Sequence, residues 1–100
     1  HYQPDATVWT IAPGDVPFDR LAVDTPRAGL LGLAGDVHDV PEGWVALATP
    51  ADSEEYARVL YAALRQADAM GLPVVVAVLP SDEGIGVAVC DRLRRAAASR

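Results

Sequence analysis

Between Asp52 and Met70 the apolar residues recur at helical spacing, with Tyr56, Val59, Leu60, Ala63, Leu64 and Ala67 on one stripe and charged residues between them. Asp52 followed by Glu55 has the form of a capping box with an acidic cap, while Gly71 and then Pro73 supply a stop. The pattern predicts a helix over this span. On either side the period changes. Leu72 to Leu79, centred on V-V-V-A-V, is almost wholly apolar and reads as a strand buried on both faces; Gly29 to Ala34 and Trp44 to Thr49 read the same way. Thr7 to Ala12, T-V-W-T-I-A, alternates and is rich in β-branched and aromatic residues, which marks a further strand ended by Pro13-Gly14. Asp15 then caps a short helix over Val16 to Val23, with Pro17 in its first turn, and Thr25-Pro26 breaks it.

After Leu79, Pro80 stops the strand, and Ser81, Asp82 and Glu83 bring side-chain acceptors and negative charge to a helix start. The stripe Ile85, Ala88, Val89, Leu93 and Ala96 or Ala97 continues that helix, with Arg92, Arg94, Arg95 and Arg100 towards its negative end. The order is strand, short helix, strand, strand, helix, strand, helix. This predicts an α/β fold: a three-layer, Rossmann-like domain with a mostly parallel sheet of about four strands and helices on its faces.

A chain of 100 residues is one domain's length. No apolar run approaches the eighteen or more residues of a bilayer span, and nothing resembles a signal peptide, so a cytoplasmic protein without membrane contact is expected. The net charge of −6 argues against direct binding of nucleic acid, since phosphate neutralisation by Lys and Arg supplies most non-specific affinity. All 8 basic residues are arginine. Without lysine there is no Schiff base and no P-loop lysine. The single cysteine, Cys90, cannot form an internal disulfide and suits a reducing compartment.

Three places carry candidate chemistry. Ser81, Gly84 and Gly86 form a glycine-bearing turn at a helix start, which either cradles a phosphate or permits close packing; Asp82 and Glu83 would repel a phosphate. The loop from Gly35 to Gly43 holds Asp36, His38, Asp39 and Glu42, suitable types for acid, base or metal ligation, although polar residues at such spacing are ordinary in a solvated loop. No metal site is assigned. Cys90 lies past the first helical turn, where a helix dipole would lower its pKa, and is expected to pack as a small hydrophobe. Glu54 with Arg58 and Arg65 with Asp68 read as surface pairs worth a few tenths of a kcal/mol each.

The run G-I-G-V-A-V-C-D-R-L-R-R-A-A resembles the last helix of the C-terminal domain in the two-domain threonylcarbamoyl-AMP synthases of the Sua/YciO/YrdC family. The segment L-Y-A-A-L-R-Q-A-D-A-M-G and the opening H-Y-x-P, at His1, Tyr2 and Pro4, are similar to the same family. The family often carries methionine where this chain has Cys90. The resemblance implies that residues 1–5 are the tail of an interdomain linker that reaches over a catalytic cleft, and that residues 6–100 are an accessory domain. It also implies that catalytic and ATP-binding residues lie in a YrdC-like N-terminal partner domain, none of which is in these residues, and that the family makes threonylcarbamoyl-AMP from threonine, bicarbonate and ATP for tRNA modification. No catalytic residue and no cofactor is then expected in this chain; ATP, with any Mg, belongs to the partner domain. A different reading is a small-molecule or nucleotide sensor with Gly35 to Gly43 and Ser81 to Gly86 lining a pocket at the carboxyl ends of the strands. A free-standing hydrolase built on His38 or Cys90 is the least favoured.

Overall fold

Short runs of valine, leucine and alanine hydrogen-bond side by side because burial on both faces leaves their backbone no other partner. The strands are β1 (Thr7–Ile11), β2 (Gly29–Leu31), β3 (Val45–Ala48) and β4 (Val74–Val78), and among the described residues the helices are α1 (Ser53–Ala69) and α2 (Ile85–Ala98). The computed structural model describes residues 4–13, 25, 27–37 and 39–98. The sheet runs β1-β4-β2-β3 and every neighbouring pair is parallel. β4 is therefore central. Its Val74 to Val78 pair with Thr7 to Ile11 on one side, and its Val75 to Ala77 pair with Gly29 to Leu31 on the other.

Alternation along the strands divides the core in two. Val8, Leu31, Val75 and Ala77 meet Tyr56, Leu60, Ala63, Leu64 and Ala67 of α1 and Val89, Leu93 and Ala96 of α2. Leu30, Val76 and Val78 turn the other way, onto Ala28 and Trp44. Both described helices thus lie on one face, packed against each other. On the opposite face Trp44 is held by its indole N–H, which donates to the Thr25 carbonyl at 2.7 Å. The short helix expected over Val16 to Val23 lies outside the described residues.

α1 follows its sequence closely. Asp52 Oδ1 accepts from the Glu55 amide at 2.9 Å, a cap worth about 1 kcal/mol, and Glu55 Oε1 reaches back past the cap residue to accept from the Ala51 amide at 2.8 Å. Gly71 adopts φ 68°, the left-handed stop, and the Leu72 amide donates back to Ala67. α2 departs from expectation in two ways. Its first amides are satisfied by backbone, Gly86 donating to the Glu83 carbonyl and Val87 to that of Gly84, while the Ser81 hydroxyl donates to Glu83 Oε2 at 3.2 Å. Its inward stripe is Gly86, Val89, Cys90, Leu93 and Ala96. Ile85 is 48% exposed. The helix is rolled because Gly86, lacking a side chain, turns inward against the Ser81 backbone and carries Cys90 in with it.

Candidate functional site

Open parallel sheets bind ligands outside the carboxyl ends of their strands, where neighbouring connections diverge. Here that place is between β2 and β4. The chain leaves β2 for β3 on one side and leaves β4 for α2, which packs over β1 on the other. The ladder between the two strands ends at Leu31 and Ala77. Beyond it stands the Tyr56 hydroxyl, which donates to the Val78 carbonyl at 3.0 Å and lies 3.5 Å from the Leu31 carbonyl. Tyr56 projects from the first turns of α1, which the Asp52 cap sets over the strand ends, and it is 0% exposed. A phenol therefore occupies the crevice. Burial, with Cys90 and Asp36 as further causes, pushes its pKa well above the ordinary 10.0, so it stays a neutral donor at physiological pH.

The turn into α2 closes the same end. Gly84 has φ 56°, and a Cβ at Gly86 would run into the Ser81 carbonyl oxygen. The Gly86 position is thus occupied by backbone contact with Ser81. Cys90, 1% exposed, lies with its thiol 3.4 Å from the Pro80 carbonyl, and burial raises its pKa, leaving a protonated thiol with no access to solvent. Asp36 is half-buried close to Tyr56, Asp39 is exposed with φ 53°, and His38 lies outside the described residues. Among the described residues no three His, Cys, Asp or Glu side chains group as metal ligands would. Nor is any helix among them long and apolar enough to cross a membrane.

The amino end of the sheet is held differently. Asp68, in the last turn of α1, accepts the Asp5 amide on Oδ2 at 3.1 Å and the Ala6 amide on Oδ1 at 3.0 Å. The Thr7 amide donates to Pro73, and Pro4 is fully buried. His1 and Tyr2 lie outside the described residues. Arg27 crosses from the start of β2 to the end of α1, its guanidinium donating to Met70 O at 2.9 Å and Gly71 O at 3.5 Å. Sequence reasoning placed Tyr56 only in a core stripe and Asp68 only in a surface pair. No local pattern announces either role, because both partners are backbone groups more than twenty residues away.

These features define an open parallel α/β domain in which Tyr56 at one end of the sheet, and Asp68 and Arg27 at the other, hold backbone groups in place. The chain belongs to the family of threonylcarbamoyl-AMP synthase C-terminal domains, which it matches over residues 1–98. P. abyssi Sua5 complexed with L-threonine is similar in structure, with TM-score 0.74 and 29% identity over 100% of this chain and 30% of that one. A P. abyssi Sua5 variant with an adjacent histidine and tyrosine both changed to alanine gives TM-score 0.70 and 28% identity over 99% of this chain and 30% of that one. The C-terminal Sua5 domain from Pyrococcus horikoshii gives TM-score 0.60 and 25% identity over 91% and 92% of the two chains. The present chain therefore spans 30% of the length of P. abyssi Sua5. No curated protein matches it.

Proposed function

We propose that this chain is the accessory C-terminal domain of a two-domain nucleotidyltransferase that converts L-threonine, bicarbonate and ATP to threonylcarbamoyl-AMP, the precursor of the threonylcarbamoyl group on tRNA adenosine. The observation that supports this most is the family match over nearly the whole chain. The relative solved with L-threonine is the two-domain-sized protein, of which this chain covers 30%. ATP, any Mg that accompanies it, and the reacting groups are assigned to a preceding YrdC-like domain, in a cytoplasmic enzyme. His1, Tyr2 and Pro4 are the tail of the linker that meets that domain; the histidine–tyrosine pair changed in the P. abyssi variant is of the same types in the same order. Direct contact with tRNA is not assigned to this acidic domain.

The domain's part is to hold and orient that linker, with no turnover of its own. The phenol of Tyr56 in the strand crevice and the buried thiol of Cys90 favour this over a nucleotide sensor or a hydrolase. Diphosphate release from ATP, dependent on threonine and bicarbonate, is the assay. The full-length protein should show it and residues 1–100 alone should not. Turnover by the isolated domain would overturn the accessory reading, and saturable heat from nucleotide titrated into it would restore the sensor.

A further inference from the structure

An aspartate in the last turn of a helix faces the negative end of the macrodipole and is unfavourable there by a few tenths of a kcal/mol to about 1. Asp68 occupies that position. Its carboxylate is turned to two consecutive backbone amides, those of Asp5 and Ala6, one on each oxygen. The next amide, Thr7, donates to Pro73 just beyond the same helix, and the side chains flanking the exposed Asp5, Pro4 and Ala6, are both buried. Three successive amides and two buried side chains therefore fix the backbone before β1 has properly begun. A carboxylate held by two N–H groups is a charge-assisted pair, shorter and stronger than neutral hydrogen bonds.

We infer that Asp68 is a positioning residue: it clamps the chain as it enters the domain and so sets the direction in which the upstream linker meets the catalytic domain. This rests on the two-domain reading above. Its geometric content is specific. The described chain enters at the amino-end rim of the sheet, where Asp5 and Ala6 lie against the C-terminal turn of α1. Asp68 touches no substrate. It acts through the backbone it holds.

The test uses the full-length protein with Asp68→Ala, Asp68→Asn and, as a control for general loosening, Val89→Ala on the other helix. Hydrogen exchange at the amides of residues 5–8 reads the clamp, and kcat with KM for threonine and ATP reads its consequence. Asp68→Ala should speed exchange at Asp5 and Ala6 about tenfold or more, and lower kcat by between about tenfold and a hundredfold with KM little changed, the range expected of a displaced linker. Asp68→Asn, whose remaining oxygen still accepts one amide, should fall between. Val89→Ala should lower the melting temperature while leaving exchange at those two amides and kcat as in the parent. Unchanged exchange in both Asp68 variants would overturn the clamp, and lost protection with unchanged kcat would overturn the positioning role. An inactive parent protein would instead remove the reaction assigned above, while the exchange ratio still decides whether Asp68 holds the chain.

Discussion

The two ends of this sheet are finished by different means. At the carboxyl end a phenol fills the gap between β2 and β4, a glycine brings α2 onto the Ser81 backbone, and a buried thiol rests near Pro80; all three are contacts of neutral groups. At the amino end the hydrogen bonds are charge-assisted, with Asp68 on the amides of Asp5 and Ala6 and Arg27 on the Met70 and Gly71 carbonyls just past α1. The difference matters because α/β sheets ordinarily keep their carboxyl end open for ligand. Here Tyr56 and Gly86 give that end to packing, with the carboxylates of Asp36, Asp82 and Glu83 around them. At the end where the chain enters, charged side chains themselves hold the backbone.

The largest way to break the comparison is at Gly86. A methyl group there meets a carbonyl oxygen of the backbone, which cannot swing aside as a side-chain tip does, so Gly86→Ala should cost about 3 kcal/mol by overpacking despite the better helix propensity of alanine. In a domain of this size that lowers the melting temperature by more than 10 °C on an order-of-magnitude scale of about 4–8 °C per kcal/mol. Gly35→Ala, where no atom lies within 4 Å of the added carbon, is the matched control. Equal melting temperatures for the two variants would mean that the turn is loose and open to a ligand after all.

Tyr56→Phe tests the plug itself. Removing the hydroxyl leaves the buried Val78 carbonyl without its donor, at a cost of about 1–3 kcal/mol. The pH dependence is a sharper signature. Because the folded pKa is raised above the ordinary 10.0, the unfolded chain loses this proton first as pH rises. The contribution is complete below pH 10 and is lost above it, at about 1.4 kcal/mol per pH unit until the folded phenol also ionises. The buried Cys90 thiol, raised from 9.0, adds a loss of the same sign at slightly lower pH. Denaturant titrations between pH 8 and 11, a range chosen roughly to bracket these ordinary values, should therefore show a shallower fall for Tyr56→Phe than for the parent. Parallel curves would show that the hydroxyl reaches water in the folded protein.

How legible this was differs between the same two ends. The strands, the α1 stripe and its caps follow from residues a few positions apart, and those are the interactions that spacing reports. The parallel α/β arrangement with β4 at the centre is consistent with that reading. Burial of Cys90 as a small hydrophobe was legible, but the roll of α2 is not local: Ile85 and Ala88 continue a plausible stripe and yet are exposed, because the approach of the Ser81 backbone to Gly86 decides which face turns inward. Ser81, Gly84 and Gly86 were legible as a turn needing a reason, and only the neighbouring backbone supplies one. Tyr56 and Asp68 were legible as residue types alone. Their partners are carbonyls and amides, which every residue carries, so sequence holds no mark of them.

The smallest effect lies at Arg27 and sharpens the contrast by its salt dependence. The guanidinium is exposed and caps carbonyls at the negative end of α1, where a cation is worth about 0.3–1 kcal/mol at low ionic strength. Arg27→Gln removes the charge while keeping a polar side chain, so its cost should be about 0.5 kcal/mol at low salt and should fade towards zero near 1 M, where the screening length is about 3 Å. Gly86→Ala and Tyr56→Phe, acting in a buried interior, should keep their full cost across the same range. Melting curves of the three variants at low and high salt therefore separate the ends: one variant converging on the parent and two holding their distance is the expected pattern. If Arg27→Gln kept its cost at high salt, the amino end would owe its hold to hydrogen-bond geometry, with charge contributing little.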